Sequence, residues 1–183
     1  ALVPNPVLTR DGEGLNFAAE GIGLEGLGAG TANISINIGG PVQAAYLYWA
    51  GRTRPCDTNG TVQCIIPFEP YEDQELIFDG NPITGDIAGF ESQLDTSLLS
   101  TDQDINNIGY LADVTAFVTG AGLQTFTIED GDPGNNLFRL NGAALIVLYR
   151  DLSDRVSYRV MVYDGLDFAF GRNDQIPEAR ITT

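Results

Sequence analysis

Short runs of alternating apolar and polar residues, each closed by a turn sequence, constrain this chain more than any other feature. Residues 34–38 (Ile-Ser-Ile-Asn-Ile) carry isoleucine at every second position, and residues 123–128 repeat the alternation. A period of two is typical of a strand with one buried face. Residues 39–41 (Gly-Gly-Pro) and 79–82 (Asp-Gly-Asn-Pro) are turn sequences. These patterns predict short antiparallel strands joined by tight turns.

Two longer runs predict strands that lie inside a sheet. In residues 42–50, Tyr46 and Tyr48 fall on one face of the predicted strand and Leu47 on the other. Residues 143–149 are almost continuously apolar, which is typical of a strand buried on both faces.

The rest of the chain extends this pattern. Residues 156–163 are predicted to pair with residues 143–149 as a hairpin, and residues 90–99 to form a loop or a short helix. No stretch shows a convincing helical period, and seven or more short strands are separated by turn signals. The sequence therefore predicts an all-β fold with little helix: a single antiparallel β-sandwich, jelly-roll-like.

The chain has 183 residues and shows neither an internal repeat nor a linker, so one sandwich domain is expected over residues 11–183. Residues 1–10 precede it as an extended segment, because Pro4 and Pro6 exclude a helix there. This segment suits a donor strand that adds to the open sheet edge of a neighbouring subunit. A segment that frays, or that docks on its own chain, is the alternative. The apolar side chains available for assembly are Leu2, Val3, Val7 and Leu8.

The charge and the missing residue types exclude several functions. Twenty-five acidic residues face nine basic ones, a net charge of −16, and all nine are arginines because the chain has no lysine and no histidine. Without histidine there is no Ser-His-Asp triad or imidazole ligand, and without lysine no Schiff base or P-loop. We therefore expect no enzymatic activity. The negative charge excludes nucleic acid as a partner, and no run of 18 apolar residues indicates membrane insertion.

Two cysteines, Cys56 and Cys64, lie in a polar, turn-rich stretch. Their spacing is not Cys-x-x-Cys, and no histidine is present to complete a metal site. We predict a disulfide that closes a small surface loop. Because disulfides persist in oxidising compartments, this pair indicates a location outside the cell, at its surface or secreted.

Calcium is the only cofactor that the sequence suggests. The first candidate site is the acidic turn at 130–136, and the second is the acidic stretch at 102–107. Calcium takes six to eight hard oxygen ligands, which carboxylates and amides around a glycine turn can supply. The alternative is a hydrated acidic turn, since Asp, Asn and Gly form turns without a metal. The candidate ligands are Asp130, Asp132, Asn135 and Asn136 in the first site and Asp102 and Asp104 in the second.

Four segments together resemble an uncharacterised β-sandwich domain of secreted bacterial and archaeal cell-surface proteins, which are adhesin-like and envelope-associated. The resemblance covers roughly residues 14–168, and residues 44–51 (Ala-Ala-Tyr-Leu-Tyr-Trp-Ala-Gly) are its most specific part. It implies an extracellular, non-enzymatic role and no catalytic residue. The other segments are residues 111–118, 142–151 and 159–165.

Two functions are compatible with these observations. The first is an extracellular structural or adhesive protein that assembles with its own copies or with other surface proteins into a filament or sheath, aided by calcium. The second is a carbohydrate-binding, lectin-like module, because exposed aromatic rings can stack on sugars. The same rings could instead pack within the sheet. The aromatic residues in question are Tyr46, Tyr48, Trp49 and Tyr71.

Overall fold

The computed structural model describes residues 3–4, 8–24, 31–53, 74–95, 103–130 and 138–164. These ranges contain thirteen β-strands and no α-helix, which confirms the prediction of an all-β fold. The strands are β1 (Val3–Pro4), β2 (Arg10–Glu13), β3 (Leu15–Gly23), β4 (Thr31–Ile38), β5 (Val42–Thr53), β6 (Glu75–Phe78), β7 (Asn81–Thr84), β8 (Asp86–Asp95), β9 (Gln103–Asp113), β10 (Gly122–Asp130), β11 (Phe138–Arg150), β12 (Ser157–Val160) and β13 (Tyr163–Asp164).

The two largest sheets form a jelly-roll sandwich. The four-stranded sheet has the order β4-β10-β6-β7, and the five-stranded sheet has the order β3-β11-β5-β9-β8. The antiparallel pairs are nested in sequence: β3 with β11, β4 with β10, β5 with β9, and β6 with β7. Nested pairs distributed between two facing sheets define a jelly roll, and β8 is an additional edge strand. The predicted sandwich architecture is confirmed.

The core lies between the two sheets and follows the alternation in the sequence. On β4, Ile34, Ile36 and Ile38 are buried and the intervening residues are exposed. From the five-stranded sheet, Trp49 of β5 and Tyr110 of β9 enter the same core, with ring centroids 5.6 Å apart. Burial of large apolar side chains, worth about 1.5–3 kcal/mol each, therefore holds the sheets face to face.

A two-residue turn makes the tightest connection of the sandwich. Asp79 and Gly80 join β6 to β7, with φ values of 48° and 75°. Positive φ at both central residues matches a type I′ hairpin turn, whose twist suits the flanking strands. The turn predicted at 79–82 is confirmed at this position.

Two local predictions were wrong. Residues 156–163 do not form a hairpin with β11, because β3 and β5 already occupy both edges of that strand. Residues 90–95 of the predicted loop or short helix belong instead to the strand β8 (Asp86–Asp95), and residues 96–99 lie outside the described residues. β8 lies at the sheet edge with β9 as its one neighbour in its sheet, and an edge position tolerates polar residues that obscure the strand pattern.

Candidate functional site

The face of the five-stranded sheet that points away from the core is also buried. Alternate residues of β5 explain this: Leu47 and Trp49 enter the core, whereas Ala44 and Tyr46 point to the opposite face and are equally buried. The confirmed prediction that residues 143–149 are buried on both faces has the same cause. We call this second face the outer face. A sheet with two apolar faces requires a cover on each.

Both ends of the described chain supply that cover. β2 pairs antiparallel with β12, and β1 pairs antiparallel with β13. We call residues 3–4 and 8–13 the N-terminal arm. The arm, Gly14 and residues 150–164 together form the chain-end layer, which contributes Leu8, Val160 and Val162 to the outer-face cluster. The jelly roll thus carries a third, thin layer.

Leu8 is the apolar anchor of the arm. Its side chain is 1% exposed and belongs to a buried cluster with Leu15, Ala44, Tyr46 and Leu148. The site on the outer face that is filled by Leu8 is called the seat below. Complete burial of a leucine contributes about 1.5–3 kcal/mol. The arm is therefore docked by packing as well as by strand pairing.

The structure describes two of the four predicted assembly residues. Val3 lies in β1 and pairs with Asp164 of the same chain, and Leu8 lies in the seat of its own chain. The self-docked alternative is thus the arrangement seen. Leu2 and Val7 lie outside the described residues.

Two tyrosines of β5 connect the outer face to the chain ends by hydrogen bonds. The Arg10 guanidinium donates to the Tyr46 hydroxyl at 3.1 Å, and the Tyr48 hydroxyl donates to the Asp164 carboxylate. Burial is the main cause that raises the pKa of both hydroxyls, and the Asp164 carboxylate raises the pKa of Tyr48 further. Both phenols therefore remain neutral and act as structural contacts.

Ion pairs join β2 to β12 and to the residues just before β12, on the exposed side of the layer. Arg159 donates to both carboxylate oxygens of Asp11, from Nε at 2.6 Å and from Nη2 at 3.1 Å. The hydrogen bonds from Arg159 lower the pKa of Asp11. Arg155 pairs with Glu13 at 3.0 Å. Exposed pairs such as these stabilise a folded chain only weakly.

Gly14 is the point at which the arm leaves the sandwich. It has φ +65° and separates β2, in the chain-end layer, from β3, in the five-stranded sheet. A Cβ atom here would lie 2.2 Å from the Asp151 carbonyl oxygen. Both the conformation and the space therefore require glycine.

A cleft of about 250 Å³ lies beside the seat. Three carboxylates line it, from Asp86, Asp113 and Asp164, together with apolar atoms of Leu8 and Leu111. In the described part of the chain no group of three or more Asp, Glu, His or Cys side chains is arranged to hold a metal ion. The cleft is thus an acidic depression beside the seat.

The structure leaves the calcium candidates untested. Asp130 ends β10, where it pairs with Leu76, and Asp104 lies in β9 of the other sheet, opposite Leu94. The remaining candidates, Asp132, Asn135, Asn136 and Asp102, lie outside the described residues, as do Cys56 and Cys64 of the predicted disulfide.

The acidic stretch at 102–107 includes Asn107, a buried polar residue. Asn107 is 5% exposed, and its Nδ2 atom has no hydrogen-bond partner. It lies in β9 between Arg52 of β5 and Glu91 of β8. An amide NH2 group is a donor, so this atom does not supply a calcium ligand.

The aromatic residues considered for sugar binding serve other purposes in the described structure. Trp49 and Tyr46 are 2% and 3% exposed, so neither ring is accessible to a ligand. Tyr48 is partly buried, and its hydroxyl donates a hydrogen bond to the Asp164 carboxylate. Tyr71 lies outside the described residues.

Sequence reasoning did not identify the polar contacts of the chain-end layer. Asp11 and Arg159 are separated by 148 positions, and Arg10 and Tyr46 by 36. No local period connects such positions. One signal was available: Arg150, Arg155 and Arg159 lie within ten residues of a chain that has only nine arginines.

Comparisons with protein-family models, curated proteins and solved structures find no match to this chain. In the ranges that the structure describes, no helix is long and apolar enough to cross a membrane. The chain is thus defined by its jelly-roll fold and by the chain-end layer on the outer face.

Proposed function

We propose that this chain is a non-enzymatic structural or adhesive protein of the cell exterior, which joins its own copies into a filament or sheath. The N-terminal segment makes the junction by strand addition, and calcium assists. The extracellular location rests on the predicted Cys56–Cys64 disulfide and on the resemblance to secreted surface proteins. Other surface proteins are a second class of partner.

The observation that carries this proposal is the seat of Leu8. The arm docks as an added strand: four residues of β2 pair with β12, and one leucine fills an apolar site. Strand addition satisfies backbone groups and buries side chains at the same time, which is how proteins use a peptide strand to join subunits. The same segment, carried by a neighbouring copy, fits the same kind of site.

Charge sets the conditions for assembly. Copies that each carry −16 repel one another, and the reach of this repulsion falls from about 10 Å at 0.1 M salt to about 3 Å at 1 M. Bound divalent cations cancel part of the charge locally. We expect calcium or high ionic strength to promote assembly, and light scattering with a chelator control measures it. If assembly depends on neither calcium nor ionic strength, the role of charge is contradicted.

A point substitution tests the arm more cleanly than its deletion, because removal of residues 1–10 would also empty the seat and expose an apolar face. Leu8→Asp places a charge in the seat, and we expect loss of the filaments seen by electron microscopy. Leu123→Asp is the matched control, since Leu123 is 73% exposed and lies far from the layer in sequence. If both variants assemble equally well, the proposal is contradicted.

A further inference from the structure

We infer that the chain-end layer is the surface on which a second copy of this chain docks, and that each copy passes its N-terminal arm to the next copy there. The inference rests on the proposed self-assembly and specifies its interface. In the exchanged state, Leu8 of one copy fills the seat of the next.

Charge is distributed in favour of this surface. Residues 8–14 and 150–164 contain four of the nine arginines and five of the 25 acidic residues, a net charge of −1. The rest of the chain carries the other −15. Two copies of a strongly acidic protein approach most easily where each is nearly neutral and where positive and negative groups alternate.

Exposed apolar side chains are concentrated in one segment of the chain-end layer. The described residues include ten large apolar side chains that are exposed, and five of them lie between positions 152 and 163. On a proposed docking face, exposed apolar side chains are those that a second copy would cover. The five are Leu152, Val156, Tyr158, Met161 and Tyr163.

The connection of the arm permits exchange. Gly14 alone separates β2 from β3, and glycine adopts positive and negative φ with similar ease. A change of φ at this residue redirects the arm away from its own sheet. The contacts that hold the arm are two short ladders, one leucine, the Arg10–Tyr46 hydrogen bond and exposed ion pairs, which all re-form with an identical copy.

The ladder also supplies a probe of exchange. The Gly14 amide donates to the Val156 carbonyl at 2.8 Å, so these two residues form a hydrogen-bonded pair. Hydrogen-bonded and non-hydrogen-bonded pairs alternate, which makes Asp11 and Arg159 a non-hydrogen-bonded pair with Cα atoms about 4.5 Å apart. That spacing suits a disulfide. Both side chains are largely exposed, at 59% and 64%, so their replacement by cysteine spares the core.

The experiment uses two full-length variants, Asp11→Cys and Arg159→Cys, one of them labelled with ¹⁵N. They are mixed as monomers, assembled with calcium, oxidised and analysed by mass spectrometry of the linked peptides. Each chain carries only one of the two new cysteines, so a link between positions 11 and 159 joins two copies. The double variant, oxidised as a dilute monomer, shows that the pair cross-links within one chain.

The expected result is an 11–159 link that is absent from the dilute mixture and appears on assembly. Assembly without this link, while the double variant cross-links within its own chain, overturns the exchange and the strand-addition junction, and leaves only the proposed self-assembly in place. No assembly of the wild-type chain at any calcium or salt concentration overturns both.

A second measurement tests docking independently of exchange. Met161→Asp adds a charge to the exposed apolar cluster without entering the core, because Met161 is 49% exposed. We expect at least a tenfold loss of assembly, whereas Leu123→Asp assembles like the wild type. Unchanged assembly of Met161→Asp contradicts the proposed interface.

Discussion

Asp11 and Arg159 face each other across the ladder of β2 and β12, and the Arg159 guanidinium binds both oxygens of the Asp11 carboxylate. The two residues are 148 positions apart in the sequence. Their pair joins the N-terminal arm to the last described strands of the chain. The stability of the docked arm is therefore expected to depend on the ionisation of this carboxylate.

Acid is expected to loosen the arm. Arg159 lowers the pKa of Asp11 in the folded chain below its usual value of about 3.9. A lowered pKa stabilises the docked arm at every pH above about 4, and this contribution is lost as the pH falls through the folded pKa. Hydrogen-exchange protection of the β2 and β12 amides should fall at pH 3 relative to pH 6. Amides of β5, at the centre of its sheet, are the internal reference.

Asp11→Asn supplies the control for this titration. The amide keeps the shape of the side chain but carries no charge. The backbone amide hydrogens of the arm should therefore exchange with solvent faster already at pH 6. Between pH 6 and pH 3 its protection should change less than that of the wild type. Equal pH dependence of the two proteins shows that other carboxylates control the arm.

Tyr48→Phe tests the hydrogen bond to Asp164. Loss of one part-buried hydrogen bond is expected to lower the free energy of unfolding by about 1 kcal/mol at neutral pH. Burial raises the pKa of Tyr48, so its stabilising contribution is present below about pH 10 and is lost as the pH rises toward the folded pKa. Urea unfolding from pH 8 to 11 should show that the difference between variant and wild type shrinks.

Tyr163→Phe is the matched control for that series. Tyr163 is the neighbour of Asp164 and is 48% exposed, and its replacement leaves the Tyr48 contact in place. It should follow the wild-type pH dependence. The interpretation fails if Tyr163→Phe and Tyr48→Phe behave alike.

Gly14→Ala is expected to destabilise the protein, whereas Gly12→Ala is not. A non-glycine residue at φ +65° costs about 1–3 kcal/mol, and the new Cβ would also press on the Asp151 carbonyl. At Gly12 the nearest atom to a new Cβ is 3.9 Å away. Its substitution should change the free energy of unfolding by less than about 0.5 kcal/mol. Urea unfolding monitored by the emission of Trp49, the chain's one tryptophan, measures both.

Trp49→Ala is expected to cost about 3–5 kcal/mol, because it removes a fully buried ring that packs on Tyr110. Trp49→Phe keeps part of that contact and should cost less. Circular dichroism follows unfolding in both variants, since the tryptophan signal is lost. A Trp49→Ala protein as stable as the wild type would show that the ring lies outside the core.

Strand positions and faces were predictable where a strand has one polar side or lies wholly inside the sandwich. β4 and β5 are examples, because the face on which each side chain lies follows from its parity in the sequence. β8 was missed, because an edge strand needs only one neighbour and carries a polar sequence. The partner of residues 156–163 was also wrong, since proximity in sequence favoured β11 and both edges of β11 were occupied.

The sequence by itself determined that this chain forms strands, which side chains of β4 and β5 point inward, and that histidine and lysine chemistry is absent. The tertiary structure decided what covers the outer face and where the N-terminal arm lies. The alternation of apolar and polar residues is a local property, because it is visible in neighbouring residues of a single strand. The pairing of Leu8 with its seat, and of Asp11 with Arg159, depends instead on which surface remains uncovered after the two sheets have closed.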